Sequence, residues 1–395
     1  MSFPRYLSLP ILSSIAKEVK KIGVNFYIDT NEEEASDVAV PDNFDMTVRI
    51  NKKLVTDALS DVSGHRAFKL IKSVRDLKNH VNSRMDFLNP DAIVATSDMG
   101  GLVTRLCNEW AVKHNRPFFV MQPCFIDVAT EKWKERISRV LIYVAYNKIL
   151  RTPIGRKQHK YGCERRTNYI LTWNDEFKDI FKNSFTVGNP LLDKFVNQKV
   201  KINVDNTNYP TALICTQPYD KLVDMGILKS HQAVEMHSML FNIVNQNPDV
   251  HFIIRVHPSE NPNEYAYMLQ NKNTNCTIEH NARSMHEALE HVDVQISMAS
   301  YTSFEAVVAG VPIIIIHPEF INFFDQFKGE IEFRVDDMEM FNIVLKEAFE
   351  KRYRECFIRY RNNYLNKKLS YFGHSAEITA NTLKKVIDWR KNGFK

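Results

Sequence analysis

The residues best suited to chemistry lie in the second half of the sequence, where polar side chains directly follow short apolar runs. The run Phe252–Val256 contains Arg255 and is followed by His257 and Pro258. A histidine at the carboxyl end of a parallel strand lies at the ligand-binding edge of the sheet, where it can donate to phosphate oxygens or protonate a leaving group. Pro258 lacks the N–H group that a strand needs and therefore ends it. The alternative is that His257 only closes a loop.

A second polar segment, which includes Ser300, Thr302 and Ser303, follows another apolar run. We expect this segment to open a helix, Phe304–Ala309. Hydroxyls and unpaired N–H groups at a helix N-terminus form an anion site, which the helix dipole favours. Glu305 is predicted to lie in the first helical turn, where a carboxylate caps the helix or accepts from ribose hydroxyls. Ordinary N-capping by Ser303, with no ligand bound, is an alternative that explains part of the pattern.

The first half of the sequence offers one candidate for acid–base chemistry. Asp98 lies in a glycine-rich turn between the predicted strand Ala92–Ala95 and a helix that begins at Leu102. A carboxylate at this edge of a sheet can deprotonate a hydroxyl group. An aspartate in such a turn can equally be the N-cap of the following helix. Both interpretations of Asp98 stay open.

These side chains depend on elements that alternate short apolar runs with helical patterns, which is typical of βαβ units around a parallel sheet. The predicted strands are Val24–Ile28, Ala92–Ala95, Pro117–Met121, Tyr169–Leu171, Ala212–Cys215, Phe252–Val256, Val294–Ile296 and Ile313–Ile316. Gln217 directly follows one of these strands, within Thr216-Gln217-Pro218.

The length of the chain predicts more than one domain. At 395 residues it exceeds the size at which a single hydrophobic core usually keeps growing. A polar, Asn-rich stretch over 198–210 is typical of a linker. We therefore expect an α/β fold with two Rossmann-like domains facing a cleft, over 1–195 and 205–370. The last residues, 371–395, are expected to form a helix that packs back toward the first domain.

Composition limits the partners and cofactors. The formal charge of +5 suits anionic ligands but is too small and too dispersed for a nucleic-acid binder. The six cysteines lie far apart without ligand spacing, so we expect reduced core residues. Asp336-Asp337 lacks the D-x-D spacing that suits a divalent cation on a diphosphate, so no metal or other cofactor is expected.

No signal peptide is visible in the sequence, and one segment suggests contact with a membrane. The N-terminus lacks a long apolar region, and no window approaches the roughly 20 apolar residues of a spanning helix, which predicts a cytoplasmic protein. Residues 132–160 combine basic side chains with the apolar run Val140–Val144. Such an element can lie on the inner face of a membrane. The alternative is a core-facing helix with a solvated basic end.

Several of these segments carry a family resemblance, which covers about residues 169–385. Arg255–Pro258, followed by Asp293–Ser297 and Ser303–Ile313, resembles the C-terminal domain of GT-B glycosyltransferases. The resemblance is strongest to the capsule Kdo- and sialic-acid transferases with His-Pro and Ser-rich motifs, and to CDP-glycerol glycerophosphotransferases. Val187–Asp193 is similar to a Gly-Asn-Pro…Asp segment shared with UDP-sugar 2-epimerases, and Tyr371–Ser375 is similar to the family's ending.

The resemblance implies a metal-independent glycosyltransferase that moves a sugar from a nucleotide-activated donor to a surface-polysaccharide or glycolipid acceptor. It implies a CMP-linked donor over a UDP- or CDP-linked one. The second domain would bind the donor, with residues Gln217, Arg255, His257, Pro258, Ser300, Thr302, Ser303 and Glu305. The first domain would bind the acceptor. The position of Asp98 in the sequence, rather than the resemblance, makes it the candidate base there, and His257 is the second candidate catalytic residue.

Other functions stay open at this point. A UDP-sugar 2-epimerase or hydrolase, a CDP-glycerol-type phosphotransferase and a non-catalytic nucleotide-sugar binding protein would share the fold. The chain also departs from the family pattern, because Gln122-Pro123-Cys124 stands where Gln-His-Gly is common. The glycine-rich loop that is common after the first strand is replaced by Ile28–Asn31.

Overall fold

The computed structural model describes most of the chain and divides it into two compact units. The described residues are 5–31, 46–50, 67–96, 102–122, 168–178, 181, 183–198, 209–224, 228–269, 275–280, 283–298, 300–316, 333–335 and 338–392. Unit 1 comprises residues 1–193 and 369–395, and unit 2 comprises residues 194–368. The chain therefore passes between the units twice.

Unit 1 is built on parallel strands. Its strands are β1 (Tyr27–Asn31), β2 (Met46–Ile50), β3 (Ile93–Ala95), β4 (Phe118–Met121), β5 (Asn168–Thr172) and β6 (Ser184–Thr186), and its helices are α1 (Arg5–Lys21), α2 (Ala67–Leu88), α3 (Leu102–Lys113) and α10 (Ser375–Lys391). Strands β3 to β6 form one sheet in chain order, and β1 pairs with β2 in a separate ladder. Helix α10 packs on α1 at the end of the chain.

The apolar face of α2 explains where this helix ends. The sequence pattern predicts a helix over Leu54–Asn79, whereas α2 continues to Leu88; residues 51–66 lie outside the described part. Leu77, Val81 and Met85 recur every fourth residue and are buried against α3 and β4, so the apolar face continues past Asn79.

Unit 2 is a six-stranded parallel sheet with helices. Its strands are β7 (Thr211–Cys215), β8 (His251–Arg255), β9 (Cys276–Glu279), β10 (Val294–Ser297), β11 (Ile313–Ile316) and β12 (Phe333–Val335). Its helices are α4 (Tyr219–Asp224), α5 (Ser230–Gln246), α6 (Met285–Leu289), α7 (Tyr301–Ala309), α8 (Met338–Phe349) and α9 (Lys351–Lys368), with a 3-10 helix at Pro262–Leu269. The strand order is β12-β11-β10-β7-β8-β9.

This order is that of a doubly wound Rossmann sheet. The chain starts at the central β7, moves outward through β8 to β9, and returns to β10 on the other side of β7. The direction of winding therefore reverses between β7 and β10. In open α/β sheets, ligands bind at such a reversal, outside the carboxyl ends of the strands.

Burial of the sheet on both faces follows from its composition. Strand β11 consists of four isoleucines, Ile313–Ile316, and all four are buried. Strands of a parallel sheet that is covered on both faces have continuous apolar runs of this kind. On one face, Met236, Leu240 and Ile243 of α5 belong to the same apolar cluster as the strand residues. The predicted α/β class with two parallel sheets is confirmed.

Candidate functional site

Three polar loops leave the carboxyl ends of β7, β8 and β10 in unit 2. The register places Cys215 at the end of β7 directly between Arg255 of β8 and Ser297 of β10. Residues paired in this way lie in one row across a parallel sheet, so the loops that follow start side by side. The loops begin at Thr216, Val256 and Met298.

A carboxylate that sequence reasoning missed joins the first two loops. The Glu260 carboxylate accepts hydrogen bonds from the Thr216 hydroxyl at 2.5 Å, the Tyr265 hydroxyl at 2.9 Å and the His257 backbone N–H at 3.3 Å. A longer contact from the Tyr219 backbone N–H measures 3.4 Å. Burial raises the pKa of Glu260, and these four donors oppose that shift because they stabilise the ionised form.

His257 lies within this arrangement and is half-buried. Its Nδ1 accepts from the Ser259 backbone N–H at 3.2 Å and lies 2.8 Å from the Ser259 hydroxyl. An Nδ1 that accepts carries no proton, so the neutral ring holds its proton on Nε2. Burial and, to a lesser extent, the charge of Lys221 lower the pKa of His257. The ring is therefore a neutral donor near pH 7.

Arg255 is oriented toward the outer edge of the sheet. Its Nη2 donates to the Arg283 carbonyl at 2.5 Å, and its Nη1 lies 3.7 Å from Glu279 Oε2 on β9. Arg283 is itself paired with Glu279 at 2.6 Å. Arg255 and Arg283 therefore share the single negative charge of Glu279, so this group keeps a net positive charge. Arg255 Nη1 is buried without a hydrogen-bond partner, and the charge of Arg255 also acts on Glu305.

The Ser/Thr segment forms the N-terminus of α7, but the helix starts earlier than predicted. It begins at Tyr301, with Ser300 as the N-cap whose hydroxyl accepts from the Thr302 N–H at 3.3 Å. The prediction of Ser303 as N-cap was therefore wrong. Ser303 is fully buried, and its hydroxyl lies 2.5 Å from that of Ser297. This contact holds the helix start against the end of β10.

Glu305 lies in the second turn of α7 rather than the first, because the helix begins at Tyr301. Its side chain is buried, and Lys194 Nζ lies 3.7 Å from Oε1. Burial raises the pKa of Glu305, and the charges of Lys194 and Arg255 oppose this. Sequence reasoning missed Lys194. Its position directly after the Gly-Asn-Pro…Asp segment is the only local signal that pointed to it.

The remaining candidates are placed less completely. Gln217 is half-buried in the loop after β7, and Pro258 is exposed beside His257. Asp98, the predicted base, lies outside the described residues, as do Asp336-Asp337 and the basic segment 132–160. Gln122 turns inward, where its side chain accepts from the Trp173 backbone N–H at 2.9 Å.

Among the described residues, no three His, Cys, Asp or Glu side chains are grouped so that they could hold a metal ion. Over the same residues, no helix has the length and apolar character needed to cross a membrane. In the described part, Cys107, Cys215, Cys276 and Cys356 form no disulfide, and the first three are buried, as expected of reduced core residues.

Comparison with known proteins gives similarity in structure but not in sequence. The sequence matches no protein-family model and no curated protein. Among solved structures, a glycotransferase of kitacinnamycin has a TM-score of 0.60 at 14% identity, covering 95% of each chain. A putative UDP-N-acetylglucosamine 2-epimerase from Listeria monocytogenes has a TM-score of 0.58 at 10% identity, covering 96% of this chain and 94% of that one.

A third solved structure carries a nucleotide. Os79 from O. sativa, in complex with UDP, has a TM-score of 0.57 at 12% identity, covering 95% of this chain and 96% of that one. Identities this low establish the fold alone. The chain has the α/β fold of the GT-B glycosyltransferases, as the sequence predicted.

Proposed function

We propose that this protein is a metal-independent GT-B glycosyltransferase that moves a sugar from a nucleotide-activated donor to a surface-polysaccharide or glycolipid acceptor. One observation carries the proposal. The polar loops after β7, β8 and β10 start side by side at the point where the winding of the sheet reverses. That position is where open α/β sheets bind nucleotides. Similarity to glycosyltransferase structures supports the same choice.

The donor is proposed to bind through neutral hydrogen-bond donors rather than through a cluster of cations. Ser300, Thr302 and the first N–H groups of α7 suit a phosphate, because the N-terminal end of a helix favours an anion. His257 would donate from Nε2 to the same phosphate and stabilise it as it departs. Ser303 would support this loop through Ser297. Arg255 would contribute charge from a distance.

The nucleotide and the acceptor side rest on the sequence. The CMP-linked donor is proposed from the resemblance in Arg255–Pro258 and Ser297–Ile313. Direct displacement by an acceptor hydroxyl needs a general base, for which Asp98 stays the candidate. Glu305 is proposed near the ribose or the sugar, because a buried carboxylate paired with Lys194 can exchange that partner for hydroxyl donors.

The donor can be identified by thermal shift. The protein is heated with CMP, CDP, UDP or GDP in turn, because a ligand that binds only the folded state raises the melting temperature. CMP is expected to give the largest shift. A larger shift with UDP would overturn the CMP assignment but not the nucleotide site, whereas no shift with any of the four would contradict the site itself.

The role of His257 can be tested by His257→Ala. Transfer from the nucleotide sugar is expected to be abolished, while the melting temperature of the free protein stays near that of the wild type. His231→Ala is the matched control, because His231 is an exposed histidine on α5. Near-normal turnover in His257→Ala would sink the assignment of His257.

An epimerase is the second candidate, favoured by the similarity to a UDP-N-acetylglucosamine 2-epimerase structure. An epimerase turns over without an acceptor, whereas a transferase does not. Incubation with UDP-N-acetylglucosamine alone, followed by separation of the products, therefore distinguishes the two. Formation of the 2-epimer in that incubation would replace the transferase proposal.

A further inference from the structure

We propose that Glu260 is a positioning residue that sets the orientation of the His257 ring by joining the loops after β7 and β8. The inference rests on the proposed function only for its consequence in ligand binding. Glu260 does not need to touch the ligand. Its role follows from which groups its carboxylate holds and from how those groups fix His257.

Glu260 and His257 lie in the same turn. The Glu260 backbone N–H donates to the His257 carbonyl at 2.9 Å and closes the turn His257–Glu260. The Glu260 side chain folds back over this turn and accepts from the His257 backbone N–H at 3.3 Å. The backbone of His257 is therefore held on both sides by the same residue, which limits the directions in which its ring can point.

Hydrogen bonds through Thr216 link this turn to the neighbouring strand β7. The Thr216 hydroxyl donates to Glu260 at 2.5 Å and accepts from the His257 N–H at 2.9 Å. Thr216 directly follows β7, so Glu260 and His257 are tied to the loop at the reversal of the sheet. Tyr265, fully buried, donates to the other carboxylate oxygen at 2.9 Å. Both oxygens of the Glu260 carboxylate are therefore held by hydrogen bonds, one from Thr216 and the other from Tyr265.

The Glu260 side chain is suited to its surroundings as a charged carboxylate. All four groups that contact the Glu260 carboxylate in these loops present a hydrogen, so a carboxylate satisfies them together. An amide of the same shape must place its NH2 group opposite at least one N–H or O–H donor. The Thr216 hydroxyl and the His257 N–H share Oε2, whereas the Tyr265 hydroxyl and the Tyr219 N–H share Oε1. Glu260→Gln therefore keeps the volume of the side chain but places an NH2 group opposite the N–H of either His257 or Tyr219, which disturbs the two loops that Glu260 joins. An unsatisfied buried donor is costly, so the loop is expected to move.

The direct test is nuclear magnetic resonance of the imidazole nitrogens in histidine-labelled, full-length protein. His257 is assigned from the signals that His257→Gln removes. In the wild type, Nδ1 is expected to give the shift of an acceptor and Nε2 that of a protonated nitrogen. Glu260→Gln is expected to shift both signals. Glu264→Gln is the matched control, because Glu264 is an exposed carboxylate four residues away, and it should leave them unchanged.

A second measurement uses binding. The nucleotide that gives the largest thermal shift with the wild type is used as the ligand. Glu260→Gln is expected to lower the affinity for this nucleotide about tenfold, while Glu264→Gln binds it as the wild type does. If no nucleotide binds the wild type, the proposed function fails, and the imidazole signals still decide the role of Glu260. His257 signals in Glu260→Gln that match those of the wild type would overturn the inference.

A second variant, Thr216→Val, tests the same role if Glu260→Gln does not fold. Thr216→Val keeps the shape of the side chain and removes only the hydroxyl that links Glu260 to the His257 N–H. The His257 signals are expected to shift in this variant too. Unchanged signals in a folded Thr216→Val protein would count against the inference in the same way.

Discussion

At the residue scale, the site of unit 2 depends on titratable groups whose burial disfavours their charged forms. Burial lowers the pKa of His257 and raises those of Glu260 and Glu305. Neutral donors therefore surround the proposed phosphate position, and the buried carboxylates are held by specific partners. A histidine of this kind responds to an anion, because a nearby negative charge favours the imidazolium form.

We therefore expect nucleotide binding to be accompanied by proton uptake at His257. The free ring has a lowered pKa, and a bound phosphate raises it. Affinity should rise as the pH falls from the higher pKa of the complex to the lowered pKa of the free ring, and level off below that. Calorimetry in two buffers of different ionisation enthalpy measures the proton uptake.

The control for this prediction is a pair of variants. Proton uptake should disappear in His257→Gln and persist in His231→Gln, which replaces an exposed histidine of α5. Uptake that persists unchanged in His257→Gln would show that another group takes up the proton, and the predicted protonation of His257 would then be wrong.

At the scale of elements, α7 is held at both ends. Its N-terminus is capped by Ser300, and its C-terminus ends at Gly310, whose φ of 81° is the left-handed conformation that glycine adopts without strain. Arg361 of α9 donates from Nε to the Val307 carbonyl at 2.8 Å and from Nη2 to the Val308 carbonyl. A cation at this end also suits the helix dipole. The proposed anion site therefore depends on a contact at the opposite end of the helix.

Arg361→Met tests this dependence. Methionine keeps much of the apolar contact but removes the guanidinium donor from both carbonyls, of which Val307 still accepts from the Gly310 N–H. This should lower the free energy of unfolding by about 1–3 kcal/mol. Arg359→Met is the matched control on the exposed side of the same helix, where a change within about 0.5 kcal/mol is expected. Urea unfolding measures both. Equal stabilities for the two variants would contradict the role of Arg361.

At the scale of the whole molecule, the chain changes unit after Asp193 and again before Leu369. The unit 1 residues next to these two points contact each other. The Asp193 carboxylate accepts from the Gly373 and Ala376 N–H groups at 2.9 and 2.8 Å, so it caps the start of α10. Gly188 has a φ of 81°, and a Cβ there would collide with the Ser370 carbonyl and with Ser375. The segments 187–193 and 371–375, each of which resembles a segment of the GT-B family, therefore contact each other.

Gly188→Ala is expected to be strongly destabilising. It combines the left-handed backbone cost of about 1–2 kcal/mol with an overpacking cost of about 1–3 kcal/mol. Gly23→Ala is the matched control, because Gly23 has a φ of 73° and no atom within 4 Å of the added Cβ. Only the backbone cost, about 1–2 kcal/mol, is expected there. Urea midpoints that fall equally in the two variants would rule out the packing contact at Gly188.

The sequence by itself determined the class of fold and the loops that carry polar groups. Apolar runs and the residues that end them are local properties, so the strands before Thr216, His257 and Ser300 were found with small errors in their ends. The order of the strands was decided by tertiary structure, because pairing joins residues far apart in the chain. It is this order that places the reversal between β7 and β10.

The partners of the site residues were likewise decided only by tertiary structure. Glu260 meets Thr216 across 44 residues, and Arg361 meets Val307 across 54. No local pattern distinguishes such a carboxylate or guanidinium from one on a solvated surface. The start of α7 was misplaced for the same reason, since Ser297, Ser300 and Ser303 are equivalent as caps in sequence. Burial of Ser303 against Ser297 leaves Ser300 as the hydroxyl that can cap the helix.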